Sequence, residues 1–80
     1  MPKLKVLGSK ELIKIFAEFG FSIRGYKGSH ITVQRIMNDI VQELTVPGHK
    51  EIAKGTLKAI YSQAARFIPI EELRKYFYTK

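Results

Sequence analysis

Cysteine is absent from this chain, which excludes disulfides and thiolate metal sites and fits a reducing cytosol. No apolar run approaches the roughly 20 residues that cross a bilayer. Residues 1–20 have neither an unbroken apolar segment nor a small-residue cleavage site, so no signal peptide is expected. There is no internal repeat, no low-complexity tract and no linker. The expectation from these absences is one soluble, cytoplasmic domain over residues 1–80, with no membrane partner. Acidic residues are also scarce. Seven Asp and Glu stand against fourteen Lys and Arg, leaving a formal charge of +7. That excess suits a polyanion, because phosphate contacts release counterions. An acidic protein would be drawn to the same field, and surface lysines also keep small domains soluble.

What is present is enough apolar material for a core, at 45% of residues. Ser9 stands where a helix cap is wanted, and Leu12, Phe16 and Phe19 follow at helical spacing before Gly20. The period then changes. Phe21 and Ile23 alternate with Ser22 and Arg24 in a first strand, and Gly25-Tyr26-Lys27-Gly28 reads as the turn after it. Ile31 and Val33 alternate with His30, Thr32 and Gln34 in a second strand. Met37-Asn38-Asp39 supplies the next turn, and a third strand covers Ile40 to Val46. Pro47-Gly48 ends it. A second helix is expected from about Gly55-Thr56, with Leu57, Ile60, Tyr61, Ala64 and Ile68 as its apolar stripe. Pro69 interrupts the pattern, and Ile70, Leu73, Tyr76 and Phe77 predict a short third helix.

The fold class expected is therefore α+β, with element order α-β-β-β-α, a three-stranded antiparallel sheet, both helices on one face and a short C-terminal helix. Ile31, Val33, Ile40 and Leu44 need the cover of those helices. The core spans about residues 9–68, and residues 69–80 form a helical extension that either closes the core or serves a partner surface. Tyr76, Phe77 and Tyr78 are expected to dock on the first helix. Double-stranded-RNA-binding domains are built in the same order, which speaks to fold and not to activity.

Two blocks go further. The segment Gly20-Phe21-Ser22-Ile23-Arg24-Gly25-Tyr26-Lys27-Gly28-Ser29-His30 resembles the signature of the HicA toxin family, with Gly-Ser-His opening the second strand. The stretch Val46 to Ile60 resembles its second block, Pro-x-His followed by Lys-Gly-Thr-Leu at the start of a helix. A lone Gly-Ser-His is weak; two blocks in order and at the right separation are not. The resemblance implies a toxin that cleaves mRNA, held inactive by an antitoxin of the HicB type, with His30 as the catalytic residue.

The chemistry of the residues is compatible with that implication. Imidazole titrates near working pH and can move the ribose 2′-OH proton or protonate the leaving oxygen. Alternation turns His30 away from Ile31 and Val33, toward solvent. Without the resemblance, the same residue reads as an ordinary exposed strand histidine. Gly28 and Ser29 are candidates to present N–H groups to a phosphate, and the Ser29 hydroxyl to orient the ring or bond a phosphate oxygen. Arg24, Lys27, Lys54 and Lys58 are the candidate phosphate contacts. Lys54-Gly55-Thr56 marks a helix N-terminus that favours anions, or else an ordinary Thr cap. Tyr26 either stacks on a base or joins the core edge. His49 is the other candidate acid or base, with a structural bond to its loop or to the second helix as the simpler role. No metal site and no cofactor are expected, since two histidines lack clustered carboxylates. The competing functions are a non-catalytic RNA-binding module of the same fold and a protein-interaction module whose charge serves an acidic partner.

Overall fold

The computed structural model describes residues 2–79. Helix α1 (Ser9–Glu18) is followed by strands β1 (Ser22–Lys27), β2 (His30–Met37) and β3 (Ile40–Pro47), then by helices α2 (Lys54–Ala64) and α3 (Ile70–Phe77). The three strands form one antiparallel sheet in the order β1-β2-β3. The α+β architecture and its double-stranded-RNA-binding-domain order are thus as the sequence predicts. No described helix is long and apolar enough to cross a membrane.

The helices cover one face of the sheet. Leu12, Phe16, Leu57, Ile60 and Ala64 meet Val33, Leu44 and Val46 in a single buried cluster, which Leu73 and Phe77 of α3 complete. The C-terminal extension therefore closes the core. Two of its three aromatic residues dock toward α1 as expected: Phe77 lies 6.3 Å from Phe16, and Tyr76 meets Phe19 edge-on at 5.5 Å, whereas Tyr78 meets Tyr61 of α2 edge-on at 5.3 Å. The N-terminal segment joins the same end of the chain. Lys5 N–H donates to the Phe77 carbonyl at 2.8 Å, and Thr79 N–H donates to that of Lys3 at 2.8 Å.

Several local expectations are corrected. The first helix is capped by Gly8, whose N–H donates to the Glu11 carboxylate at 2.7 Å; Ser9 is already helical. β1 does not stop at Arg24 but runs on to Lys27. Arg24 is bulged out of the ladder, and pairing resumes through Gly25↔Thr32, Tyr26↔Ile31 and Lys27↔His30. The bulge absorbs the break in alternation that reads as a turn in the sequence. The turn itself needs only Gly28-Ser29, with Gly28 at φ +60°, as suits the first position of a type II′ hairpin. At the other hairpin, Asn38 and Asp39 both take positive φ, the requirement of a type I′ turn.

Ile40 is the remaining correction. It is 62% exposed, while Val33 and Leu44 on the same face are 1% and 2% exposed. β1 pairs with β2 only as far as Gln34, so the β2–β3 ribbon projects beyond it, and Ile36, Met37, Ile40 and Val41 are bare. Arg35 stands where the core ends. Its guanidinium donates to the Phe19 and Phe67 carbonyls at 2.7 Å each and to Gln42 at 2.6 Å, and lies 4.7 Å from the centre of the Phe21 ring. Burial lowers its pKa from the ordinary guanidinium value.

Candidate nucleic-acid interface at the His30 hairpin

His30 is the first residue of β2, and pairing across both neighbours fixes its surroundings. It lies opposite Lys27 on β1 and opposite Pro47 on β3. Cross-strand partners share a face, so Lys27, His30 and Pro47 form a row at one end of the sheet surface that no helix covers. The next row along that face is Gly25, Thr32 and Thr45, and Ser22, Gln34 and Glu43 follow. Gln34 donates to the Glu43 carboxylate there at 2.8 Å. His30 is exposed, as its alternation with Ile31 and Val33 requires.

The turn before His30 is held from a second direction. Gly48 N–H donates to the Ser29 carbonyl at 2.6 Å. A side chain at position 48 would put its Cβ 2.7 Å from that oxygen, so glycine is needed for the approach. This contact joins the two sequence blocks: Gly-Ser-His and Pro-Gly-His meet at one corner of the sheet. From there the chain runs against the start of α1, where Ser9 N–H donates to the His49 carbonyl at 2.8 Å.

The candidate residues divide into two groups. Lys27, Gly28, Ser29 and His30 are contiguous on the hairpin, and Arg24 is exposed at the bulge of the same strand. Lys54, Gly55, Thr56 and Lys58 are exposed in the first turns of α2. That helix has no side-chain cap and no acidic residue in its first turn, so its N–H groups and dipole face solvent without an internal anion. Thr56 is not the cap; Ala53 stands at that position. No hydrogen bond links this turn to the His30 hairpin among the described residues, and Lys54 instead borders a pocket shared with Lys5 and Ile52.

Tyr26 pairs with Ile31 and so belongs to the face opposite Lys27 and His30, and at 71% exposed it does not join the core edge. The His49 imidazole makes no hydrogen bond among the described residues, to its loop or to α2; only its backbone is bonded. The Ser29 hydroxyl likewise makes none to His30 among those residues. Arg35 carried no expectation from the sequence. The signal was its odd-numbered place after Ile31 and Val33, which puts a charge on the covered face.

The sequence model of one family, the HicA toxins of bacterial toxin–antitoxin systems, matches residues 9–65. No curated protein and no solved structure matches the chain. The matched span is more than half of the chain and contains α1, the whole sheet and α2. It takes in both the Gly-Ser-His turn and the Pro-Gly-His corner that packs on it. The chain belongs to the HicA toxin family, the toxin half of a toxin–antitoxin pair.

Proposed function

We propose that this chain is an endoribonuclease toxin that cleaves mRNA in the cytoplasm without a metal ion, with His30 as general acid/base. In such a cleavage the ribose 2′-oxygen bonds to phosphorus as the bond from phosphorus to the 5′-oxygen breaks. The products are a 2′,3′-cyclic phosphate and a 5′-hydroxyl. One proton leaves the 2′-OH and one reaches the departing 5′-oxygen, and a solvent-facing imidazole suits either transfer. The observation that carries the reading is His30 itself: exposed, on the open face, opposite Lys27, directly after a turn pinned by Gly48. Lys27 is suited to the charge that grows on the phosphate oxygens, and the Gly28-Ser29 turn to its N–H contacts. Arg24 and the exposed first turn of α2, with Lys54, Gly55, Thr56 and Lys58, would hold phosphates farther along the strand. A HicB-type antitoxin is the proposed inhibitor. The open His30 face is accessible to it, and a complex that left this face uncovered would reject direct blocking.

The test is cleavage of a long single-stranded RNA in EDTA by the wild type and by His30→Ala. Cleavage by the wild type alone is expected, with RNA binding retained by both. The second reading, a binding module without catalysis, is favoured by the lack of any hydrogen bond orienting the His30 ring among the described residues. It takes over if both proteins bind RNA and neither cuts it.

A further inference from the structure

A cleft of about 360 Å³ opens beside the His30 hairpin, lined by Ser9, Lys10, Glu11, Gly48, His49 and Lys50. We infer that this cleft is a nucleotide subsite, which takes the RNA residue flanking the bond at His30 and contacts its phosphate through Lys10, Lys50 and His49. The inference rests on the ribonuclease reading and extends it to residues outside the hairpin.

Continuity is the first argument. Gly48 lines the cleft and donates its N–H to the carbonyl of Ser29, the residue before His30, so the cleft adjoins the turn that carries His30. The second is chemistry. Lys10, His49 and Lys50 are exposed, and none of their side chains makes a hydrogen bond among the described residues, so their donors are available to a ligand. His49 has no structural bond to explain it, and the cleft gives it a task. The third is size, which falls in the ~300–1,000 Å³ range of ligand clefts. Glu11 is the one acid in the lining. Its carboxylate accepts the Gly8 N–H at 2.7 Å, which holds it at the cap of α1.

The experiment measures binding of a short, fluorescently labelled single-stranded RNA of mixed sequence in the His30→Ala background, where the probe stays intact. Combining Lys10→Gln, Lys50→Gln and His49→Ala should weaken binding roughly fivefold or more at moderate salt. The salt dependence should flatten by about 0.7 in log–log slope, the value for one single-strand phosphate that is no longer neutralised. The thermal midpoint should not move, because the three side chains are exposed and unbonded. Arg74→Gln with Lys75→Gln on α3 removes two cations elsewhere and should leave affinity nearly unchanged. Equal weakening by the two sets overturns the inference, because overall charge then explains the effect. Unchanged affinity in the cleft variant also overturns it, while wild-type cleavage in EDTA leaves the ribonuclease reading standing. If the wild type does not cleave and His30→Ala does not bind, both fail together.

Discussion

The two ends of the β2–β3 ribbon are made by the same pair of strands and differ in nearly everything else. At one end His30 and Pro47 face each other beside Lys27, and the turn is clamped by a backbone hydrogen bond from Gly48. At the other end Ile36, Met37, Ile40 and Val41 project past β1 with neither face covered, and residues 36–47 contain two acids and no Lys or Arg. Arg35 marks the boundary, tying the ribbon to the carbonyls that follow α1 and α2. The basic end has the cation and the imidazole that the proposed phosphodiester chemistry needs, whereas residues 36–47 offer a polyanion no cation. Position in the fold thus separates a basic corner clamped at Gly48 from an apolar end anchored at Arg35.

That contrast is sharpest under two substitutions. His30→Ala should reduce RNA cleavage roughly a hundredfold to ten-thousandfold, the range of a missing general acid or base, with no change in thermal midpoint. Cleavage within a few fold of wild type would move the chemistry away from this end. Arg35→Met should do the reverse. It keeps the stem but leaves the Phe19 and Phe67 carbonyls and Gln42 without their donor, a loss of about 2–3 kcal/mol, read as a lower urea midpoint. Cleavage per folded molecule should be unaltered. An unchanged midpoint would show that the ribbon is held by something other than Arg35.

The contrast also marks how far the sequence could be read. The α-β-β-β-α order and the buried stripe were legible because Leu12, Phe16, Val33, Leu44, Leu57 and Ile60 follow clean periods, and packing then obeys them. His30 on the open face was legible for the same reason. The Arg24 bulge was not, since one extra residue in a strand has the local pattern of a turn and only cross-strand pairing reveals it. Ile40 misled because alternation assigns a face and says nothing about how far the helices reach along it. Arg35 was overlooked because its partners, Phe19 and Phe67, are 16 and 32 residues away. The joining of Gly-Ser-His to Pro-Gly-His is likewise a long-range fact, carried by one hydrogen bond between backbones.

That bond gives the intermediate prediction. Gly48→Ala brings a Cβ to 2.7 Å from the Ser29 carbonyl oxygen, and backbone cannot swing aside as a side-chain tip can. The turn must shift, at a cost of about 1–2 kcal/mol, in the range of overpacked sites. Because His30 follows that turn directly, cleavage should also fall, by roughly tenfold. Gly25→Ala in the neighbouring strand is the control, since its Cβ would meet nothing within 4 Å. If both variants cleave like the wild type, the corner does not position His30.

The smallest effect belongs to the apolar end. Ile40→Thr keeps the β-branched shape that suits a strand and removes apolar surface that is already in water. Leu44, four residues on and on the same face, is 2% exposed, against 62% for Ile40. Burial is what makes an apolar side chain stabilising, so stability should change by no more than about 0.5 kcal/mol in urea denaturation. RNA cleavage should be unchanged. A loss above about 1 kcal/mol that grows with protein concentration would mean that this end is covered by another copy in solution, because only burial in a contact gives Ile40 that much to lose.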